Sequence, residues 1–215
     1  MSGHFVTFEG IEGSGKSTVA RGVCEALKRS SIPCLFTREP GGTAASEKIR
    51  DLLLDPESSI APRTELLLYV ASRAQLVQEV IGPALSEGRF VICDRFMDAS
   101  VAYQGWARGL GEELVSRLND YAVGECRPEL TFLLDLPVEE GFRRGPRRRE
   151  EQGLRGRDRL ELEDRDFHER VREGYLRLAE REQERIVVID ARAPFDEVLA
   201  LIIGNIEERF NVKIK

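Results

Sequence analysis

The sequence offers little material for a zinc or disulfide centre. Its 215 residues include only four cysteines and two histidines. The cysteines are far apart, no C-x-x-C spacing occurs, and His4 and His168 have no histidine neighbour in sequence. This pattern predicts neither a zinc site nor a disulfide framework. Cys93 ends an apolar run, so we interpret it as a core thiol.

Long apolar runs and a targeting segment are also missing. No stretch approaches the ~20 residues of a membrane span, and the amino terminus enters a strand pattern without the layout of a signal peptide. The formal charge of −6 gives no general reason to bind nucleic acid, although it does not exclude a local basic site. We therefore expect a soluble cytoplasmic protein with no membrane or nucleic-acid partner.

One phosphate-binding motif is complete. Residues 10–17 fill every fixed position of the G-x-x-x-x-G-K-[ST] P-loop, between an apolar strand pattern and a helical pattern. Glycines let backbone N–H groups converge on a phosphate, Lys16 would reach the β- and γ-phosphates, and Ser17 would bind Mg²⁺. A glycine-rich turn without a ligand is the alternative. The predicted ATP-binding residues are Gly10, Ile11, Glu12, Gly13, Ser14, Gly15, Lys16, Ser17 and Thr18.

Apolar runs alternate with helical patterns along the whole chain. The predicted strands are 4–9, 33–37, 89–93, 131–136 and 186–190. The predicted helices begin near residue 16 and then cover 44–54, 64–86 (with Pro83 kinking or ending it), 98–123, 164–185 and 195–210. This alternation predicts a single α/β domain over 1–215, with a doubly wound, parallel, five-stranded sheet and ligands at the carboxyl ends of its strands.

The segment 143–159 differs from the rest of the chain. It holds eight arginines opposed only by Glu150, Glu151 and Asp158, and its glycines and Pro146 are expected to interrupt any helix. One interpretation is a solvated surface loop or a nonspecific anion patch. The other, favoured by the P-loop, is a lid that brings arginines over transferring phosphates.

Charged and aromatic residues follow the predicted strands or share a helix face. Arg38 follows the second strand, and Asp94 with Arg95 follows the third, where they could bind Mg²⁺ and a phosphate. Tyr69 and Arg73 are four residues apart, so they lie on one helix face and suit a nucleobase. Each alone could be a surface charge, a core ring or a structural ion pair. Together they favour a site for a second phosphorylated ligand.

The sequence resembles the thymidylate kinase family in several blocks, which occur in family order from residue 5 to about 190. The blocks are Phe8 to Thr18, Thr37-Arg38-Glu39-Pro40-Gly41-Gly42-Thr43, Tyr69 to Gln75, Asp94 to Gly105, and Asp158-Arg159-Leu160-Glu161 with Phe167-His168. The resemblance implies a P-loop nucleoside-monophosphate-kinase fold, transfer of the ATP γ-phosphoryl group to dTMP, a requirement for Mg²⁺ and a homodimer.

The same resemblance implies roles for individual residues. Arg38, Arg50 and Arg95 would hold or border the dTMP phosphate, and Pro40 would lie beside them. Tyr69 would stack on thymine, Arg73 would bind its carbonyl edge, and Ser100 and Gln104 would complete base recognition. Tyr103 would exclude a 2′-hydroxyl, and Glu12 would meet the 3′-hydroxyl or a metal-bound water. The metal-site candidates are Ser17 and Asp94.

The family supplies a catalytic cation either from the P-loop or from the lid. Gly13 stands where a P-loop arginine would be, which resembles the bacterial type, in which the lid provides the arginine. Arg155 is the first candidate and Arg149 the second. Phe96 and Trp106 depart from the tyrosine and small residue that are usual in the family.

Two alternatives remain open at this stage. Another P-loop kinase could act on a different nucleotide, or on a nucleoside, whose neutral hydroxyl would need a general base that the sequence does not offer. A P-loop switch ATPase would need an aspartate after an apolar strand, and Asp135 could serve. Such an ATPase would leave Tyr69, Arg73 and the Ser100–Gln104 block unexplained.

Overall fold

The computed structural model describes residues 3–151 and 158–215, and their strands form a parallel five-stranded sheet. The strands are β1 (His4–Glu9), β2 (Cys34–Arg38), β3 (Phe90–Asp94), β4 (Leu130–Asp135) and β5 (Ile186–Asp190). Their order is β2-β3-β1-β4-β5, and every pairing is parallel. This confirms the predicted fold class, and each predicted strand end is within one residue of the observed one.

Helices fill the connections between these strands. They are α1 (Lys16–Arg29), α2 (Ala44–Leu54), α3 (Pro62–Leu76), α4 (Gly82–Ser86), α5 (Met97–Ser100), α6 (Glu112–Val123), α7 (Val138–Glu151), α8 (Arg165–Arg181) and α9 (Phe195–Phe210), with π-helical segments at Val77–Ile81 and Val101–Ala107. Among the described residues, no helix is long and apolar enough to cross a bilayer.

The sheet is buried on both faces. Alternate side chains of β1 and β3 enter two separate apolar clusters, with Val6 and Ile92 on one face and Phe5 and Val91 on the other. Cys93 is fully buried on the second face, and burial raises the pKa of its thiol well above the usual value. The interpretation of Cys93 as a core thiol is therefore confirmed.

Pro83 does not end the predicted helix at its own position. The helix widens into the π-helical segment Val77–Ile81, where the N–H of Gly82 donates to the carbonyl of Val77, and Pro83 follows in the first turn of α4. A residue without an N–H is tolerated there because the wider turn has already displaced the regular hydrogen-bond ladder.

The prediction of one helix over 98–123 is wrong. The chain leaves the helix after Val101–Ala107 and re-enters it at Glu112, because Gly109 and Gly111 adopt positive φ angles of 71° and 90°. The N–H groups of Leu110 and Gly111 then donate back to the carbonyls of Gln104 and Gly105.

The prediction of a loop over 143–159 is wrong for residues 143–151, which continue helix α7 through Gly145 and Pro146. The prediction overlooked an acidic residue one turn earlier. Glu140 accepts hydrogen bonds from Arg143 and Arg144, at 2.6 to 2.9 Å, and such pairs three and four residues apart stabilise a helix.

Candidate functional site

The P-loop connects β1 to α1 through three glycines with positive φ. These are Gly10 (140°), Gly13 (79°) and Gly15 (84°), a region that other residues rarely adopt. Gly15 is the N-cap of α1 and provides no side-chain cap, so the first N–H groups of the helix face the loop. Buried Lys16 lies over the loop, with its Nζ donating to the carbonyl of Ile11 at 3.3 Å.

The P-loop packs closely against neighbouring backbone, so that two of its glycines have no room for a side chain. A Cβ atom on Gly10 would lie 2.5 Å from the carbonyl oxygen of Leu134, and one on Gly13 would lie 2.7 Å from that of Gly141, in the first turn of α7. The Ser14 hydroxyl is buried and has no hydrogen-bond partner among the described residues. Ser17 is half-buried and Thr18 exposed in the first turn of α1. A cradle of backbone N–H groups with an unpaired hydroxyl is suited to an anion.

Glu12 and Arg95 join the P-loop to the end of β3. Arg95 Nη2 lies 2.5 Å from Glu12 Oε1, and the Tyr103 hydroxyl donates to Glu12 Oε2 at 2.9 Å. Burial opposes the charge of Glu12, but Arg95 and Lys16 outweigh it and lower the pKa of Glu12 to about 2. The carboxylate therefore stays ionised, and the negative charge expected near the phosphates is compensated by an arginine.

Glu9 and Tyr175 support Arg95, and sequence reasoning missed both. Glu9 accepts from the N–H of Phe96 at 2.7 Å and from the Tyr175 hydroxyl at 2.8 Å, and Tyr175 in turn accepts from Arg95 Nη1 at 3.1 Å. Burial, followed by the charge of Asp98, raises the pKa of Glu9 to about 8. A carboxylate ending an apolar strand was a usable signal for Glu9. Tyr175 gave none.

The backbone of Arg95 is itself unusual, with φ at 68° in the left-handed region. That conformation costs a non-glycine residue roughly 1–2 kcal/mol. Its N–H donates to the carbonyl of Phe8 at 2.9 Å, and the following N–H is held by Glu9. The fold thus keeps a strained backbone in place to aim one guanidinium.

Arg73 is fully buried on α3 within a set of oxygen acceptors. Arg73 donates two hydrogen bonds to the Glu39 carboxylate, one of them from Nε at 2.9 Å, and a third to the side-chain oxygen of Asn119. Ser100 Oγ accepts from Arg73 Nη2 at 2.9 Å. The structure therefore brings the predicted pair Arg73 and Ser100 together. It adds Glu39, which lies in the block 37–43 that resembles the family, and Asn119, for which the sequence contained no signal.

The other predicted base and sugar residues lie beside this cluster. Tyr69 is buried one turn before Arg73, and Gln104 is buried one turn after Ser100. The Tyr103 ring lies 5.2 Å from the Arg95 guanidinium carbon, in a cation–π arrangement. These predicted residues therefore lie on two neighbouring helical segments, α3 and residues 97–107, which are joined by the hydrogen bonds from Arg73 to Ser100 and from Gln104 to Glu65.

Two further arginines lie at the end of β2 and on α2. Arg38 pairs with Glu47 at 3.0 Å, and Arg50 donates to the carbonyl of Pro40 at 2.8 Å. Burial, followed by the like charge of Arg38, lowers the pKa of Arg50. Two neighbouring cations of this kind suit an anionic ligand.

Asp94 ends β3 and has a buried Oδ1 atom with no hydrogen-bond partner among the described residues. No group of three or more histidine, cysteine, aspartate or glutamate side chains in the same residues could hold a metal by itself. Asp135, the candidate of the switch-ATPase alternative, instead pairs with Arg172 through contacts of 2.7 and 2.8 Å.

The lid candidates are only partly described. Arg149 lies on α7, but its side chain is outside the described part of the structure, and Arg155 lies outside it altogether. His168, which sequence reasoning assigned no role, is buried, and its Nδ1 lies 3.9 Å from Glu12 Oε2. The ring of Phe142 on α7 packs edge-on against it, with centroids 5.2 Å apart. Helix α7 thus contacts the site through this aromatic pair.

The chain is similar to curated and structurally known proteins over nearly its whole length. The thymidylate kinase family profile matches residues 8–202. A thymidylate kinase from Desulfosudis oleivorans is 52% identical over 205 residues, covering 94% of this chain and 96% of that protein. One from Kosmotoga olearia is 48% identical, covering 90% of each.

The fold agrees with this similarity. A crystal structure of thymidylate kinase from Ehrlichia chaffeensis superposes with a TM-score of 0.76 at 31% identity, covering 96% of this chain and 99% of that one. With the P-loop, the buried arginine cluster and the matched family profile taken together, this chain belongs to the thymidylate kinase family.

Proposed function

We infer that this chain transfers the γ-phosphoryl group of ATP to dTMP, giving dTDP and ADP. The contact between Arg95 and Glu12 carries this inference together with family membership. It anchors a cation suited to the acceptor phosphate on the same loop that binds the donor phosphates. Donor and acceptor are therefore held in one frame, which is the main requirement of phosphoryl transfer.

The acceptor needs no general base. The second pKa of a phosphate monoester is near ~6, so dTMP is largely a dianion at neutral pH and can attack directly. The barrier comes from repulsion between two anionic substrates and from charge that develops on the transferring group. Lys16 would neutralise the donor side and Arg95 the acceptor side, and both side chains are already oriented by protein contacts.

We propose Mg²⁺ as the metal, bound through Ser17 and Asp94. The buried Oδ1 of Asp94, which has no hydrogen-bond partner among residues 3–151 and 158–215, fits this ion, because Mg²⁺ prefers oxygen ligands and usually takes few of them from the protein. When bound, the metal would offset the negative charge of the donor phosphates. Measuring activity against added Mg²⁺ in chelator-treated protein tests the proposal, since activity without added divalent metal contradicts it.

We further propose that an arginine near the end of α7 or after it supplies a cation that stabilises the transition state. Arg155 is the first candidate and Arg149 the second. Comparing kcat for single alanine variants at the two positions decides between them.

A homodimer is also proposed. Leu52 on α2 and Leu67 on α3 are 47% and 56% exposed on neighbouring helices, and sedimentation measures the assembly. A cytoplasmic location stays a prediction, supported by the two nucleotide substrates.

Turnover across a panel of nucleoside monophosphates tests the proposed function. ADP release should be fastest with dTMP and slower with dCMP, dGMP and AMP. Release that ignores dTMP would favour the switch-ATPase alternative, which the pairing of Asp135 with Arg172 already disfavours. Faster release with another monophosphate would favour a different nucleotide kinase.

Tyr103→Ala is expected to weaken the discrimination between dTMP and its ribose counterpart by about tenfold to a hundredfold. The ring is 3% exposed, and its hydroxyl already donates to Glu12, so a 2′-hydroxyl would meet the ring without a partner. The measurement is the ratio of kcat/KM for the two acceptors.

Tyr103→Phe is the matched control, because it keeps the ring and removes only the contact with Glu12. Its ratio should stay close to that of the unsubstituted protein. If the alanine variant folds and keeps the same ratio, the sugar is selected elsewhere.

A further inference from the structure

Two hydrogen bonds join α3 to the helical segment that covers residues 97–107. Glu65, Tyr69 and Arg73 repeat every four residues along α3, so they share one face. Ser100 accepts from Arg73 at 2.9 Å, and Gln104 donates to Glu65 at 2.8 Å. Tyr69, the predicted stacking residue, lies between the two cross-links. The Glu65–Gln104 contact therefore lies one helical turn from Tyr69, where the family resemblance places the base.

Glu65 is fully buried and surrounded by donors. Its Oε1 accepts from Gln104 Nε2, and Arg108 reaches both of its oxygens, at 3.3 and 3.1 Å. Arg159 Nη2 lies 2.7 Å from Oε2. Burial opposes the charge, but the hydrogen bonds and charges of these neighbours keep the pKa of Glu65 below its usual value. The carboxylate is thus ionised and can only accept hydrogen bonds.

This fixes the orientation of the Gln104 amide. An amide has one accepting and one donating end, and only the NH₂ end can face an ionised carboxylate. The carbonyl end, Oε1, must point elsewhere, and no donor among the described residues binds it. Within the described part of the chain, Gln104 therefore has an unused hydrogen-bond acceptor on the side away from Glu65.

We propose that Glu65 is a positioning residue for base selection. By holding the NH₂ group of Gln104, it presents the Gln104 carbonyl to the ring N–H of a thymine or uracil base and disfavours an aminopyrimidine, whose ring nitrogen at that place is itself an acceptor. The proposal rests on the function inferred above and adds to it the residue that sets the direction of one hydrogen bond.

Glu65→Gln is expected to reverse that direction. Arg108 Nη2 donates to Oε2 at 3.1 Å and the charged Arg159 Nη2 lies 2.7 Å from the same oxygen, whereas Oε1 has only the longer 3.3 Å contact with Arg108 besides Gln104. The carbonyl of the introduced amide should therefore stay at the Oε2 position, and its NH₂ should turn to Gln104. Gln104 would then accept from it and turn its own NH₂ group toward the base. In the unsubstituted protein, an aminopyrimidine would place its ring-nitrogen acceptor against the carbonyl of Gln104, which lowers its kcat/KM about tenfold to a hundredfold relative to dTMP. We expect Glu65→Gln to abolish that preference for dTMP.

The experiment compares dTMP with 5-methyl-dCMP, which share the methyl group, sugar and phosphate and differ only in the base edge. The readout is the ratio of kcat/KM for the two acceptors in the full-length protein. Arg108→Gln is the matched control, because it removes a partner of Glu65 but leaves an acceptor-only carboxylate facing Gln104. We expect the ratio to fall about tenfold or more in Glu65→Gln and to stay within about twofold in Arg108→Gln.

An unchanged ratio in a folded Glu65→Gln variant overturns the proposal, as does an equal fall in both variants. If Glu65→Gln does not fold, the double variant E65Q/R108Q, which balances the lost negative charge, is compared with Arg108→Gln by the same criterion. Failure of the unsubstituted protein to phosphorylate dTMP would contradict the proposed function instead, so the two failures are distinguishable.

Discussion

Lys16→Ala is expected to reduce kcat on the order of a thousandfold while the protein remains folded. The Nζ atom lies over the P-loop and would follow charge as it develops on the transferring phosphate, where one preorganised donor is worth a factor of hundreds to a thousand. The substitution truncates a buried side chain at the start of α1, so some loss of stability will accompany it. The measurements are kcat with saturating ATP and dTMP, and thermal unfolding.

Lys28→Ala is the matched control, since it removes a lysine from the same helix at an exposed position. Its kcat should be close to that of the unsubstituted protein. A well-folded Lys16→Ala variant with kcat within about threefold of normal would show that the P-loop lysine has no part in the chemistry.

Arg95→Ala is expected to lower kcat/KM for dTMP by about a thousandfold or more. The substitution removes the cation proposed for the acceptor phosphate, and it also leaves the ionised Glu12 without its closest partner. A carboxylate that has lost its nearest cation adds repulsion beside two anionic substrates. Steady-state kinetics with dTMP varied at saturating ATP measure the loss, and Arg117→Ala, on the exposed side of α6, is the control.

Adding Glu12→Gln to the Arg95 variant separates these two effects. If repulsion from the unpaired Glu12 contributes, the double variant should recover part of the lost kcat/KM relative to Arg95→Ala, and the coupling follows from a double-mutant cycle. An Arg95→Ala variant that folds and keeps kcat/KM for dTMP within threefold of normal would exclude Arg95 as the phosphate ligand.

The sequence predicted elements whose signals are local. Strand limits followed from apolar β-branched runs, and the P-loop followed from residues adjacent in the chain. The partners of buried charges were not predictable, because Glu39, Glu65 and Glu9 meet arginine, glutamine and tyrosine residues 34 to 166 positions away. A single sequence says that a carboxylate must be compensated, but it does not say by which side chain.

The two wrong helix predictions also arose from contacts that a single sequence does not identify, here between residues close together in the chain. Helix α7 was interpreted as a loop because its glycines and proline were counted without Glu140, which pairs with two arginines one turn later. The break at Gly109–Gly111 was missed because helical patterns on both sides of it were joined without regard to the two glycines. In both cases, whether the helix continues or breaks depends on the sum of several weak local backbone and side-chain preferences.

The contact between Gly13 and Gly141 has a consequence for how such enzymes can be altered. With α7 this close to the P-loop, there is no room for any side chain at position 13 unless the first turn of α7 moves away. A catalytic arginine cannot simply be transplanted into the loop of this scaffold. An arginine at position 13 and the present packing of the first turn of α7 are mutually exclusive, so placing one there would require the helix and the loop to be remodelled together.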